Sequence, residues 1–272
     1  MPILHAIILG ITQGLSEFLP ISSSGHLRLV PWLLSWNDFA GRASLEKTFD
    51  VALHLGTLIG AIAYFRADVV RYARAGLRRD ARDTTDGRLA WLLLISSLPA
   101  GITGALFADT IEHKTGYIWL IATMLIVFGL VLGWADRRTG ARPLEDVRLR
   151  EALIMGASQA LALQPGVSRS GVTMTAGRFA GLGRDGAARF AFLMSLPITG
   201  GALVFKGADL VSSGGIPDGF TAPFLWGIVT SGITGWFAVW GTLRLIRTRS
   251  FTPFVVYRVV VGVGVLVLYT LR

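Results

Sequence analysis

Polar and titratable side chains are concentrated in one short stretch near the start of an otherwise apolar chain. The stretch QGLSEFLPISSSGH, residues 13–26, supplies an amide, a carboxylate, a run of three serines and an imidazole. Gln13 and Glu17 are four residues apart, so they lie on one face of a helix that Pro20 interrupts. A carboxylate can bind a divalent cation or act as a general base, and His26 can act as an acid or a base. The combination indicates acid–base or nucleophilic catalysis.

The serine run after Pro20 predicts a turn that starts a second helix. Free N–H groups at a helix start, with hydroxyl caps and a glycine, form a site suited to an anion. Ser22 is therefore a candidate phosphate ligand, and Ser23, beside a base, is a candidate nucleophile. The alternative role for each serine is packing or capping, which is common for serine inside membrane helices.

A second stretch later in the chain repeats the first. Residues 6–25 (AIILGITQGLSEFLPISSSG) and 152–171 (ALIMGASQALALQPGVSRSG) align without gaps and are identical at eight of twenty positions. Identical apolar residues carry little weight, whereas the aligned pair Gln13 and Gln159 and the shared S-x-S-G ending carry more. We interpret the two stretches as copies of one structural unit.

The two copies differ at the positions that matter for chemistry. Glu17 aligns with Leu163, and Ser23 aligns with Arg169. One copy therefore supplies the acid–base groups, and the other supplies a guanidinium, which suits bidentate phosphate binding. If the copies meet in space, they form a phosphate site with a cation on one wall and acid–base groups on the other.

The surroundings of these residues are those of a membrane protein. Of the 272 residues, 52% are hydrophobic and 16% are charged, whereas roughly 25% are charged in soluble domains. The absence of cysteine excludes disulfides, thiol nucleophiles and cysteine metal sites. The net charge of +9 lies in short loops between apolar runs, which the positive-inside rule explains without a nucleic-acid partner. We therefore expect an all-α polytopic membrane protein.

Six apolar runs approach the roughly 20 residues that a membrane span needs. Two further regions, 1–36 and 151–184, are apolar but interrupted midway by proline and a serine–glycine cluster, so each half is too short to span. We expect these regions to form re-entrant helical hairpins, whose irregular backbone must be covered by protein or face a watery cavity. The six predicted spans are residues 50–66, 89–108, 116–135, 187–206, 223–245 and 254–271.

The arginine-rich loops predict which ends of the spans are cytoplasmic. Residues 66–88, 136–150 and 244–249 are rich in arginine and belong inside, whereas 109–115 and 207–222 hold few basic residues and belong outside. Six spans satisfy every assignment, and the two hairpins then enter from opposite faces. This is an inverted-topology repeat, a layout in which the site lies at the repeat interface.

The predicted repeat divides a single integral membrane domain, residues 1–272, into two halves. Repeat one covers about 1–136 and repeat two about 150–272. Each half contains one re-entrant helical hairpin and three transmembrane helices. A homodimer stays an open alternative, because nothing in the sequence sets the oligomeric state.

The two motifs, QGLSEFLPISSSGH and PGVSRSG (165–171), resemble the signature motifs of the bacterial undecaprenyl-diphosphate phosphatase family, also called the bacitracin-resistance protein BacA family. The resemblance extends over essentially the whole chain, including FDVALHLGT (49–57) and PFVVYR (253–258). It implies a multi-pass enzyme of the bacterial inner membrane that removes the terminal phosphate from undecaprenyl diphosphate. It also implies a divalent cation, Mg²⁺ or Ca²⁺, and an active site that faces the periplasm or exterior.

The resemblance also implies roles for individual positions. Gln13 stands where the family has Glu or Gln, and its amide removes one potential metal ligand. Catalysis is implied for Glu17, Ser23 and His26, with Glu17 also the metal ligand. Phosphate binding is implied for Arg169, Ser22, Ser168, Ser170 and Gln13.

Several alternatives stay open from the sequence alone. Ser23 attacks phosphorus with Glu17 or His26 as the base, or one of these groups activates a water directly. Asp50 is a candidate second carboxylate for the cation. The rival function is a flippase for prenyl-phosphate lipids, since inverted repeats are typical of transporters.

Four titratable residues outside the motifs are expected to have no catalytic role. His5, His54 and His113 are expected to be non-catalytic, and a hydrogen bond to another helix is the expected role of His54. Arg258 is expected to snorkel toward the interface near the cytoplasmic end of the last span.

Overall fold

The computed structural model describes the backbone of residues 1–212 and 215–272, and the side chains of residues 1–107, 116–208 and 215–272. Two short 3₁₀ helices, Arg79–Ala81 and Leu144–Asp146, accompany the α-helices. The described α-helices are α1 (Ile3–Phe18), α2 (Ser23–Leu34), α3 (Ala43–Tyr64), α4 (Arg66–Leu77), α5 (Thr85–Ile95), α6 (Leu98–Thr115), α7 (Ile118–Asp136), α8 (Leu149–Leu161), α9 (Arg169–Phe179), α10 (Arg184–Ser212), α11 (Thr221–Thr248) and α12 (Thr252–Leu271).

Long apolar helices confirm the prediction of a polytopic membrane protein. Five stretches of the described residues are long and apolar enough to cross a bilayer, and α3 with α4 forms a sixth if that bent pair counts as one span. These segments overlap the six predicted spans in order. The five are Thr85–Phe107 across α5 and α6, α7, Arg184–Ala208 in α10, α11 and α12.

Three predicted loops differ from the structure. Residues 66–88 contain helix α4, which is bent by 83° from α3. Contacts with the rest of the protein stabilise this helix: Tyr72 is buried, and Asp68 accepts hydrogen bonds from Arg71 and Arg189 at 2.7 and 3.1 Å. Residues 109–115 belong to the end of α6, and the side chain of His113 lies outside the part of the chain whose side chains are described. Residues 213–214 of the predicted loop 207–222 lie outside the described residues, and α10 continues to Ser212.

Helices α1–α2 and α8–α9 are the interrupted segments predicted from the sequence. The breaks lie between Phe18 and Ser23 and between Leu161 and Arg169. Ser22 and Ser168 have φ values of 79° and 75°, in the left-handed region that few residues other than glycine adopt. Each serine caps the following helix, since its Oγ accepts the N–H three residues later, which offsets the cost of that conformation.

Close helix packing positions the first motif. Helix α1 lies along α11, which also packs against α3. A Cβ atom at Gly10 would overlap Thr230 of α11, and one at Gly14 would overlap Thr234. Small residues therefore allow the two backbones to approach, as is common between membrane helices. The face of α1 that carries Gln13 and Glu17 is buried as a result.

The expectation that Arg258 snorkels to the interface is wrong. Its side chain is 0% exposed and donates only to backbone carbonyls in the described structure. The acceptors lie on α7 and on the breaks of both interrupted segments, so this guanidinium satisfies backbone that no regular helix satisfies. The carbonyls belong to Leu125, Met124, Pro20, Gly166 and Val167, at 2.9 to 3.3 Å.

Candidate active site

Glu17 is the centre of the site. It lies in the last turn of α1, with 7% of its side chain exposed. Gln13, one turn earlier on the same face, donates from Nε2 to Oε2 of Glu17 at 3.1 Å. The spacing of four residues predicted this shared face. The Gln13 amide therefore helps to orient the Glu17 carboxylate at the C-terminal end of α1.

The hydroxyl of Ser23 is directed at the same carboxylate oxygen. Ser23 is the first residue of α2, and its Oγ donates to Oε2 of Glu17 at 2.6 Å. The break at Pro20 turns the chain back and allows the start of α2 to meet the end of α1. A serine hydroxyl in this position has a proton acceptor within hydrogen-bond reach, which is the geometry of an activated nucleophile.

Arg169 brings the second motif to the first. Its Nη2 donates to Oε1 of Glu17 at 2.9 Å, and its Nη1 donates to Oγ1 of Thr199 on α10 at 2.9 Å. A quarter of the arginine side chain is exposed. The two copies therefore meet in space, with the carboxylate and the guanidinium in direct contact.

The three serines predicted to bind phosphate make structural hydrogen bonds. Oγ of Ser22 accepts from the backbone N–H of Gly25 at 3.3 Å and of Gly166 at 3.1 Å, which ties the first break to the second. Oγ of Ser168 accepts from Gly171. Oγ of Ser170 donates to the carbonyl of Leu19 at 3.1 Å. These contacts fit the capping alternative, and phosphate binding by these serines stays a prediction.

His26 is directed away from Glu17. Its Nδ1 is 2.8 Å from the carbonyl oxygen of Ser22, and its Nε2 is 2.8 Å from the hydroxyl of Tyr257 on α12. The imidazole and the phenol ring are also stacked, with centroids 5.6 Å apart. Both ring nitrogens are therefore engaged outside the Glu17–Ser23 pair. The His26 side chain makes no described hydrogen bond to Ser23, and the catalytic role of His26 stays a prediction.

The structure adds His54 to the site, which sequence reasoning set aside. Nε2 of His54 lies 3.5 Å from Oε2 of Glu17, and Nδ1 is 2.8 Å from the carbonyl oxygen of Asp50. Because a carbonyl only accepts, Nδ1 carries a proton, and Nε2 is the ring nitrogen that faces the carboxylate of Glu17. Thr199 and Tyr257 are further contacts that the sequence reasoning missed. An ionisable residue inside an apolar helix was the signal that could have found His54.

The donor set for a divalent cation is small. No group of three or more His, Cys, Asp or Glu side chains forms a metal-binding cluster among the described residues, so Asp50 does not complete one with Glu17 and His54. One buried oxygen is available, since Oε1 of Gln13 has no hydrogen-bond partner in the described structure. Mg²⁺ commonly takes one or two protein ligands and completes its shell with substrate phosphates. Glu17 fits a cation held in that way. Gln13, discounted as a ligand from the sequence, offers a neutral amide oxygen in place of a second carboxylate.

The residues of the site lie within a region of the chain that matches a known protein family. The sequence model of the family described as bacitracin resistance protein BacA matches residues 6–264. The chain belongs to this family. The match spans both motifs, so every contact described at Glu17 lies inside it.

Curated relatives of this BacA-family chain are similar over nearly their full lengths. A protein named undecaprenyl-diphosphatase from Geobacter sulfurreducens is 47% identical over 272 residues, covering 98% of each chain. Proteins of the same name from Pelobacter propionicus and Pelotomaculum thermopropionicum are 47% and 44% identical. The matches cover 96% and 100% of this chain, and 95% and 98% of the two relatives.

Proposed function

We propose that this BacA-family chain hydrolyses undecaprenyl diphosphate to undecaprenyl phosphate and inorganic phosphate. The reaction returns the lipid carrier to peptidoglycan synthesis and confers bacitracin resistance. The observation that carries the proposal is the Glu17 carboxylate, which lies between the Ser23 hydroxyl at 2.6 Å and the Arg169 guanidinium at 2.9 Å. A nucleophile, a base and a phosphate-binding cation are the groups that phosphoryl transfer requires. The name shared by the curated relatives supports the same activity.

Substrate binding starts with an exchange of partners at Arg169. Without substrate, this guanidinium neutralises Glu17. The diphosphate offers oxygens that match the fork of the arginine, so it competes with Glu17 for the same N–H groups. Release from the guanidinium makes the carboxylate a stronger proton acceptor at the moment when the substrate arrives. The prenyl tail lies in the lipid or between helices.

The chemical step is attack by Ser23 on the terminal phosphorus. A bond forms between Oγ and phosphorus, the Oγ proton passes to Glu17, and the bond to the bridging oxygen breaks. The leaving group is undecaprenyl phosphate, whose low basicity makes it leave without a proton. Glu17 then passes this proton to solvent. Water attacks the phosphoserine and gives a proton to Glu17, the bond between Oγ and phosphorus breaks, and Glu17 returns that proton to Oγ as inorganic phosphate departs.

A divalent cation accompanies the diphosphate in this proposal. Glu17 and Oε1 of Gln13 would hold it, together with phosphate oxygens from the substrate. When bound, it would neutralise charge on the phosphates, which otherwise repel the carboxylate.

We assign the protein to the bacterial inner membrane, with the site open to the periplasm and the arginine-rich loops in the cytoplasm. The positive-inside rule supports this orientation. We also propose that the two halves are inverted repeats with re-entrant hairpins. Support comes from the matched breaks at Ser22 and Ser168, with φ values of 79° and 75°, and from the aligned glutamines Gln13 and Gln159.

Phosphate release from undecaprenyl diphosphate by the purified protein in detergent is the direct test of this function. We expect stoichiometric release of inorganic phosphate, its loss with a chelator and its return with Mg²⁺ or Ca²⁺. A flippase moves the lipid without cleaving it, so absence of phosphate release with a correctly folded protein would contradict the proposal. Activity that is indifferent to the chelator would contradict the cation alone.

Replacement of Arg169 by lysine is expected to raise KM and lower kcat, with a combined loss of about a hundredfold in kcat/KM. Lysine keeps the charge but cannot hold two phosphate oxygens with a rigid fork. Steady-state phosphate release measures both constants. Arg28→Lys is the matched control. Arg28 lies 3.7 Å from Glu46 on the neighbouring α3, so this substitution removes the same guanidinium fork outside the site. Equal kinetics for the two variants would contradict the role of Arg169.

Replacement of Ser23 by alanine separates covalent catalysis from direct attack by water. The phosphoserine route predicts a loss of about a thousandfold or more in kcat and no phosphorylated intermediate in acid-quenched samples. Ser24→Ala is the control, because Ser24 is the adjacent half-buried serine of the same helix turn. Retention of most activity in Ser23→Ala would assign the attack to water, with Glu17 as its base.

A further inference from the structure

A pocket rich in arginine lies at the end of the molecule where α7 and α11 finish and α10 begins. Its volume is about 840 Å³. Seven arginines line it, against three carboxylates. We call it the arginine pocket, and its arginines are Arg137, Arg138, Arg142, Arg178, Arg184, Arg189 and Arg247. None of these residues belongs to the site at Glu17.

The three carboxylates do not neutralise the pocket. Asp136 accepts from Nε of Arg184 at 2.5 Å, and Asp185 accepts from Nε of Arg247 at 2.8 Å. The third, Glu145, is exposed. Two arginines are thus matched inside the pocket. Two more pair with carboxylates outside its lining, Arg142 with Glu151 and Arg189 with Asp68, both at 3.1 Å. Among the described residues, positive charge without an ion-pair partner remains on Arg137, Arg138 and Arg178. Such an excess attracts an anion more strongly in a recess than on an open surface.

Arg178 is the one buried arginine among the residues that line the pocket. It is 4% exposed, and its Nη atoms donate to the carbonyls of Gly140, Leu182 and Arg138 rather than to a carboxylate. Its Nε has no hydrogen-bond partner among the described residues, and neither has Nε of Arg189. Buried guanidinium N–H groups are normally paired. Two arginines that line this pocket therefore each keep a buried N–H without an acceptor in the described structure.

Exposed aromatic residues show that the pocket borders lipid. Trp134, in the last turn of the apolar helix α7, is 57% exposed, and Phe179 is 42% exposed. The guanidinium of Arg138 lies over both rings at 5.6 Å. Tryptophan and arginine in this combination are typical of the membrane–water interface. The pocket therefore opens where phospholipid headgroups lie.

We propose that the arginine pocket binds the phosphate of an anionic phospholipid headgroup from the surrounding leaflet. The phosphate oxygens accept from the guanidinium groups that lack a carboxylate, and Trp134 and Phe179 contact the glycerol and upper acyl chain. Basic pockets between membrane helices on this side bind anionic headgroups in the same way. The proposal is independent of the hydrolytic reaction, since the pocket shares no residue with the site at Glu17.

Native mass spectrometry of the full chain in detergent tests the proposal. Phosphatidylglycerol is titrated against phosphatidylcholine with the same acyl chains. We expect the wild-type protein to retain phosphatidylglycerol with at least about tenfold higher affinity, because the zwitterionic phosphocholine headgroup carries no net charge. Arg137→Gln/Arg138→Gln is expected to lose this preference. The control Arg74→Gln/Arg79→Gln removes the same charge from exposed positions outside the pocket. This control is expected to keep the preference for phosphatidylglycerol.

A second measurement locates the lipid without a substitution. Hydrogen–deuterium exchange of the wild-type backbone is expected to slow in residues 137–147 when phosphatidylglycerol is added, and to stay unchanged with phosphatidylcholine. Equal binding of the two lipids, or equal loss of preference in both double variants, would overturn the proposal. If millimolar inorganic phosphate alone protects residues 137–147 and displaces no lipid, the occupant is a soluble phosphate and the lipid proposal fails.

Discussion

Replacement of Glu17 by glutamine is expected to lower phosphate release by about a thousandfold or more. The variant keeps the shape of the side chain and its hydrogen bond to Ser23, but it removes the proton acceptor that lies 2.6 Å from the Ser23 hydroxyl. It also leaves the Arg169 guanidinium without its carboxylate. Substrate binding by Arg169 should therefore survive or tighten, so at a saturating concentration of the divalent cation the loss is expected in kcat and not in KM.

The control for this variant is Glu46→Gln. Glu46 lies 3.7 Å from an arginine, and about a third of its side chain is exposed, so the substitution removes the same charge outside the site. We expect wild-type kinetics for it and unfolding temperatures near wild type for both variants. The double variant Glu17→Gln/Ser23→Ala should be no slower than the slower single variant, because the two groups act in one step. Additive losses, or wild-type rates in Glu17→Gln, would contradict this mechanism.

The proximity of Glu17 and Arg169 could be predicted from the sequence, whereas the residues that surround them on other helices could not. The repeat placed a carboxylate and a guanidinium at related helix breaks, and the ion pair at 2.9 Å is the consequence. His54 and Tyr257 escaped prediction for a physical reason. Their contacts with Glu17 and His26 depend on which faces of α3 and α12 meet the motifs, and helix periodicity alone does not specify that.

The spans could be predicted from hydropathy because lipid requires each one to be long and apolar. Their ends were less predictable. Helix α4 forms from a segment that composition marked as a loop, since the partners of Asp68 lie partly on distant α10. The wrong prediction for Arg258 also arose because its partners are distant in the sequence. An arginine near a span end normally reaches for water, but here irregular backbone from two distant breaks supplies its acceptors instead.

Arg258 is consequently the residue whose loss should damage the fold most. Replacement by glutamine is expected to destabilise the protein by about 4 kcal/mol or more, because several buried carbonyls lose their donors together. The unfolding temperature in detergent should fall by roughly 10 °C or more. Activity should fall with it, since the breaks that Arg258 holds also position Ser23 and Arg169.

Two further variants separate this role of Arg258 from simple loss of charge. Arg258→Lys keeps the charge but has three donors in place of five, so it should rescue only a part of the stability. Arg272→Gln is the matched control at the C-terminal end of the same helix. Arg272 also donates to two carbonyls, those of Trp32 and Leu33, but it is exposed, so water replaces it at a cost below about 1 kcal/mol. Unfolding of Arg258→Gln at the temperature of Arg272→Gln would mean that the breaks are stable without the guanidinium, and the two motifs would then be held together by Glu17 and Arg169 themselves.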